Sequence, residues 1–212
     1  DRVGMFRMTK RGIESLDDPS GLLLADRQAG VPGSAVVAVL EGHRPVLVEV
    51  QALVSPRPAG SGGFGTRTVT GLVPRRIDLI LAVLAQRAQL DLSSADVFVS
   101  VAGGLTVREP AADLAIAAAV VSSATLRAVP GDVMMLGEVG LTGELRSVPE
   151  PSRRISEAAR LGFSRIVAPR DRSVRPAGGE VEWARSARLQ QVATLGEAMH
   201  AMSLQDAGLR AV

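Results

Sequence analysis

The chain has 212 residues, 46% of them hydrophobic and only 2% aromatic, with a formal net charge of +2. That length and apolar content suffice for one large aliphatic core or two small ones, and they exclude a disordered chain. The absence of cysteine excludes disulfides, thiol catalysis and thiolate metal sites, and two distant histidines, His43 and His200, are too few for zinc.

The isoelectric point of about 10.2 suggests a nucleic-acid binder, but it overstates the basicity. Lys10 is the sole lysine, every other base is arginine, and almost nothing loses a proton between neutrality and the arginine range. Where the arginines lie therefore matters more than how many there are, because guanidinium forks suit phosphate. No stretch approaches the roughly 18 apolar residues of a membrane span, and the start, DRVGMFRMTKRG, lacks the pattern of a signal peptide, so a cytoplasmic location without a membrane partner is expected. The abrupt start also suggests a piece cut from a longer chain.

In chain order, Val3 to Met8 alternates as a strand does, and Asp17-Asp18-Pro19-Ser20 is a turn able to cap a short helix over Gly21 to Asp26. Ser34 to Leu40 and Pro45 to Val54 flank Glu41-Gly42-His43-Arg44 and predict a hairpin with His43 solvated at its tip. Ser55 to Arg67, SPRPAGSGGFGTR, is a Gly/Pro-rich surface loop. It lacks the lysine and the following helix of a phosphate-cradling loop, but Arg57 and Arg67 keep a backbone-binding role open. A brief strand over Thr68 to Gly71 precedes a helix that Pro74 opens and that runs to Leu90, with Ile77, Ile80, Leu81, Leu84 and Ala88 on its apolar face and Arg75 and Arg76 at its exposed start.

Val97 to Leu126 then reads as a buried strand, a Gly turn, a charged link and a long apolar helix. This is where an enzyme of this size would place its chemistry, yet the link Arg108-Glu109-Pro110-Ala111-Ala112-Asp113 has two alanines at its centre. Glu109 and Asp113 suit a helix start, as caps or partners of Arg108, and Glu138 suits an arginine partner that the sequence does not identify. Short strands with Gly turns fill Pro130 to Val148, and a helix from Pro149 or Pro151 to Leu161 allows an Arg153–Glu157 pair. A strand at Arg165 to Ala168, an arginine-rich loop over Pro169 to Gly179, a strand at Leu189 to Val192 and a closing helix over Gly196 to Met202 complete one α/β or α+β domain with a mixed sheet.

The run GGLTVREPAADLAIAAAVVSS, followed by MLGEVGLTGELRSVP, Gly162-Phe163 and IVAP, resembles the carboxy-terminal domain of the RadA (Sms) family. VGMFRM, DPSGLLLADR, VLVEVQALVSP and TGLVPRRIDLILAVLAQRA stand in the matching order. The resemblance implies a fold like the proteolytic domain of Lon, a mixed sheet with packed helices. It divides the chain into an arm over residues 1–30, the Lon-like domain over 31–205 and a tail over 206–212. It places the Lon nucleophile on Ala111, after Pro110, and the Lon lysine on or beside Ser152, so neither catalytic side chain is present, while Gly137, Glu138, Leu141 and Gly143 keep a shared scaffold pattern.

A non-catalytic scaffold and DNA-binding module is therefore expected, part of an ATPase or helicase that promotes branch migration in homologous recombination and DNA repair. The resemblance further implies a homo-oligomer, a hexameric ring, acting on single-stranded or branched DNA with a recombinase as a possible partner. It assigns ATP, magnesium and zinc to an amino-terminal part absent here, leaving this chain without cofactor or metal. The expected phosphate contacts are Arg57, Arg67, Arg75, Arg76 and Arg108, with Arg170, Arg172 and Arg175 next in line. The alternative is a working Lon-type serine peptidase with an unusual dyad. Against it, Lys10 lies in the amino-terminal arm, and Ser34, Ser122 and Ser123 read as packing residues.

Overall fold

The computed structural model describes residues 6–16, 18–58, 63–174, 182–202 and 205–206. Arg175 and most of the expected tail lie outside these residues, as do residues 59–62 within the Gly-rich loop and the start of the first expected strand.

Phe6–Thr9 (β1) and Gly12–Ser15 (β2) pair as an antiparallel hairpin. Pro19–Leu23 (α1) is capped by the Asp18 side chain, which accepts from the Gly21 amide at 3.1 Å. Its Ser20 is fully buried, accepting from the Leu47 amide at 3.1 Å and donating to Glu157 at 3.0 Å, so α1 is tied into the main body.

Ser34–Glu41 (β3) and Arg44–Ser55 (β4) form the predicted hairpin, closed by Gly42 and His43. Gly42 has φ 64°, the left-handed backbone that a two-residue turn requires, and His43 is exposed beside it. Arg67–Thr70 (β5) leads to Pro74–Ala88 (α2), which buries Ile77, Ile80, Val83 and Leu84. The helix stops short of Leu90 because Gln89 turns left-handed at φ 55°. Asp96–Val101 (β6) then delivers the chain through the link to Asp113–Thr125 (α3), buried from Asp113 to Ser123.

The remaining elements are Arg127–Ala128 (β7), Val133–Met135 (β8), Glu138–Val139 (β9), Leu145–Arg146 (β10), Pro151–Arg160 (α4), Arg165–Pro169 (β11), Arg188–Val192 (β12), Leu195–Ala201 (α5) and Gln205–Asp206 (β13). Seven strands form a mixed sheet in the order β12-β11-β8-β3-β4-β6-β5. The fold is thus α/β, as the sequence predicts. From β12 to β3 the neighbours run parallel, β3–β4 and β4–β6 are antiparallel, and β5 runs parallel to β6.

Burial divides this sheet. Ala35 to Val39 in β3 are buried without alternation, which requires cover on both faces, with α3 packed along β3 and β4 and with α1 and α4 against β4. In β6 the pattern alternates: Val97, Val99 and Val101 are buried, whereas Phe98 is 39% exposed. The outer part of the sheet therefore has one covered and one open face. Among the described residues no helix is long and apolar enough to cross a membrane.

Candidate functional site

The link before α3 is held by ion pairs. Glu109 precedes a 3₁₀ turn over Pro110–Ala112, and its carboxylate takes a two-pronged fork from Arg154 in α4 at 2.8 and 2.6 Å. It also accepts from the Leu40 amide at 2.7 Å, while Arg154 donates to the carbonyls of Ala38 at 2.6 Å and Pro149 at 2.9 Å. The Arg154 side chain is 0% exposed, so this one cation ties α4, β3 and the link together where water cannot compete.

One turn on, Asp113 is bound by Arg76 through two hydrogen bonds, one of 2.6 Å from Nε and one from Nη2, and also accepts from the Val139 amide at 3.0 Å. Burial pushes the Asp113 carboxyl up from its ordinary value, opposed by Arg76 and by the amide. Hydrogen bonding to Asp113 in turn holds the Arg76 guanidinium above its usual range. Glu138 stands 3.5 Å from Arg76 and 4.0 Å from Arg146, which supplies the arginine partners left open by the sequence. The pairing of Glu109 and Asp113 with Arg108 is corrected: Arg108 is exposed, and the partners come from α4 and α2. The Arg153–Glu157 pair is corrected too. Arg153 pairs with Glu150 at 3.3 Å, and Glu157 with Arg160 at 2.9 Å.

Between the two pairs lie the alanines. Ala111 and Ala112 are each 1% exposed, and the Gly137 loop seals them, its amide donating to the Ala111 carbonyl at 3.0 Å and its carbonyl accepting from Leu114 at 3.1 Å. Gly137 has φ 149°, and a Cβ there would come 2.8 Å from Pro169 Cγ, so the seal depends on glycine. Ser152, by contrast, is exposed in the first turn of α4. Of the two positions expected to match the Lon dyad, one is thus a buried methyl and the other a surface hydroxyl.

Ser34, Ser122 and Ser123 have structural partners. Ser122 accepts from the Gly33 amide and donates to the Arg127 carbonyl, Ser123 accepts from the Val54 amide, and Ser34 donates to the buried Glu49. Gly162-Phe163 is structural as well: Arg27 donates to the Gly131 carbonyl at 2.9 Å and lies 5.7 Å over the Phe163 ring.

The five candidate arginines separate by partner. Arg67 donates to the carbonyls of Ala95, Leu92 and Thr66, clasping the turn after α2. Arg76 is committed to Asp113. Arg57 donates to the Phe64 carbonyl at 3.1 Å across the Gly-rich loop. Arg75 and Arg108 are exposed and make no ion pair or hydrogen bond among the described residues, and Arg108 borders the same crevice as Arg76, Glu109 and Asp113. Of the second group, Arg170 pairs with Glu197 at 3.4 Å and Arg172 is exposed.

Residues 75–172 match the family model described as subunit ChlI of Mg-chelatase. The chain is 44% identical over 169 residues to a protein of Halalkalibacterium halodurans named DNA repair protein RadA, covering 80% of this chain and 36% of that one. Proteins of the same name from Mycolicibacterium smegmatis, 45% identical, and Brucella abortus, 39% identical, match 85% and 98% of this chain and 38% and 43% of their own lengths. The chain is thus similar to RadA proteins over four fifths or more of its own length. It spans well under half the length of these RadA relatives.

Arg154 is the site residue that the sequence reading passed over. A signal for it exists: Arg154, Ile155, Ala158 and Ala159 are the buried positions of α4, a spacing that puts this arginine on the apolar face.

Proposed function

We propose that this chain is a non-catalytic scaffold and DNA-contacting module of a RadA-type DNA repair protein, one that in full length is an ATPase or helicase driving branch migration in homologous recombination. The observation that carries the scaffold reading is the sealed alanine pair between two arginine–carboxylate forks. A hydrolase of the Lon kind needs a hydroxyl and a desolvated amine facing substrate at that point, whereas here the space is spent on packing and charge neutralisation. The names of the relatives support the DNA repair role. A hexameric ring, a Lon-like fold, a recombinase partner and the confinement of ATP, magnesium and zinc to another part of the protein belong to the same proposal.

DNA contact falls first on Arg75 and Arg108, the two candidates with free guanidiniums, with Arg57 beside them on the Gly-rich loop. Arg67 and Arg76 act by shaping that surface. Phosphate contacts release counterions, so affinity falls with salt at about 0.7 log units per contact on a single strand. The test is fluorescence anisotropy of a labelled single-stranded oligonucleotide against salt, with wild type and Arg75→Ala/Arg108→Ala. The proposal expects weaker binding and a slope flattened by about 1.4. An unchanged affinity and slope would move the contact elsewhere. Labelling of one serine by a serine-reactive phosphonate, together with peptide cleavage lost on its substitution, would instead establish the peptidase alternative.

A further inference from the structure

Glu49 is a charged side chain set where it has no counter-ion. It lies on the face of β4 that opens outward at Gln51 and Leu53, just where the cover over the sheet ends, and it is 4% exposed. Its two oxygens accept from neutral groups, Oε1 from the Ser34 hydroxyl and Oε2 from the Gln51 amide at 3.0 Å. Among the described residues no cation forms an ion pair with it. Arg27 lies within electrostatic reach, but it gives its hydrogen bond to the Gly131 carbonyl and leans over Phe163. A carboxylate this deeply buried is unfavourable unless a cation joins it.

Glu49 borders a groove of about 560 Å³, a size within the roughly 300–1,000 Å³ of small-molecule sites. Strand register lays two rows along it, Gln51, Ser100 and Thr70 in one and Leu53, Phe98 and Thr68 in the next. Along β4 the groove thus runs from a buried carboxylate through a polar row to one with two apolar members, of which Leu53 is 60% and Phe98 39% exposed. Asp26 adds a second carboxylate, and the described lining holds no lysine, arginine or histidine.

We infer that this groove binds a linear aliphatic diamine or oligoamine, with one ammonium on Glu49 and the methylene stem over Leu53 and Phe98. An ammonium carries three donors and no acceptor. Glu49 keeps free lone pairs beyond its two hydrogen bonds, and the Ser34 and Ser100 hydroxyls beside it are further acceptors. A guanidinium fork fits less well, because it takes both carboxylate oxygens side by side and each already has a donor. Asp26 receives the second ammonium, which a lone lysine side chain of a partner does not supply. The chain's net charge of +2 opposes loose adsorption of a polycation, so binding depends on this local acidic groove.

Isothermal titration calorimetry of the 212-residue chain with putrescine, spermidine and butylamine tests it. The expected result is a single site that binds putrescine and spermidine about tenfold more tightly than butylamine, since the monoamine forgoes one charge-assisted contact. Glu49→Gln should weaken all three amines by about tenfold or more, while Asp26→Asn should bring putrescine down to the level of butylamine and leave butylamine unchanged. Leu53→Arg, at an exposed position, sets a guanidinium in the groove and should abolish binding with Glu49 intact, which keeps the test independent of how Glu49→Gln folds. Unchanged affinity in Glu49→Gln and Leu53→Arg chains that melt like wild type would overturn the site, as would a wild-type chain without saturable binding of any of the amines. Tighter binding of a short lysine peptide with blocked ends than of putrescine would overturn the free amine as occupant and make the groove a contact for a partner's lysine.

Discussion

The link before α3 and the surface around α4 and β11 both present arginines paired with carboxylates, yet they do different things. Arg154 and Asp113 are 0% and 1% exposed, and each has hydrogen bonds beyond its ionic partner. Arg165 with Asp132 and Arg160 with Asp18 pair at similar distances but keep at least 36% of each side chain in water. Removing one partner in the first region leaves a largely buried charge unpaired, while in the second region water takes its place. An arginine-rich composition therefore divides into cations that hold the fold and cations available to a ligand, and burial makes the division.

Arg154→Ala is the sharpest way to break the inner region. It takes the cation from Glu109 and a donor from the Ala38 and Pro149 carbonyls, and we expect a loss of about 3–5 kcal/mol in urea unfolding. Arg76→Leu should cost less, about 1–3 kcal/mol, because the Val139 amide still serves Asp113. It also carries a pH signature. The folded Asp113 carboxyl is raised by burial, so the native state holds its proton more tightly than the unfolded chain, and the Asp113 contribution to stability falls as pH rises from the unfolded value through the folded one. Without Arg76 the carboxyl rises further. The variant should therefore recover more stability than wild type between neutral and mildly acid pH, and equal slopes in the two proteins would contradict the buried pair.

Ala111→Ser places a hydroxyl where the surroundings are sealed, and about 1–3 kcal/mol should be lost, with no peptide cleavage gained even when Ser152→Lys is added. Asp132→Asn probes the outer region. Hydrogen bonding from Arg165 holds the Asp132 carboxyl well below the usual range, so this pair stabilises above the unfolded carboxylate value and its contribution is lost as pH falls through the folded one. With both partners solvated, the substitution should cost at most about 1 kcal/mol at neutral pH and flatten the acid limb of a stability–pH curve. Arg75→Ala/Arg108→Ala should have the smallest effect of all, within about 0.5 kcal/mol in the same unfolding measurement. A large destabilisation there would place these arginines among those that hold the fold.

Much of this was legible along the chain. The β3–β4 hairpin shows in its two apolar runs around Gly42-His43, α2 in its Pro74 start and helical spacing, and α3 in its unbroken apolar run, because each signal is local and repeats within a few residues. The emptiness of the link was legible too, since Ala111 and Ala112 are read directly. The partners were not. Glu109 and Arg154 are 45 residues apart, and Asp113 and Arg76 37 apart, and nothing in either segment names the other.

The open sheet face shows the same divide. Alternation in DVFVSV states that β6 has one apolar and one mixed face, but whether the mixed face is covered depends on where the helices come to rest. By itself the sequence determined the larger elements, their order, the aliphatic core and the two alanines of the link, because backbone propensity and side-chain chemistry act within a turn or a strand. Only the tertiary structure decided which arginines are internal and which are free. Dehydration of a charge is set by everything packed around it, and that packing is assembled from α2, α3, α4 and the Gly137 loop at once.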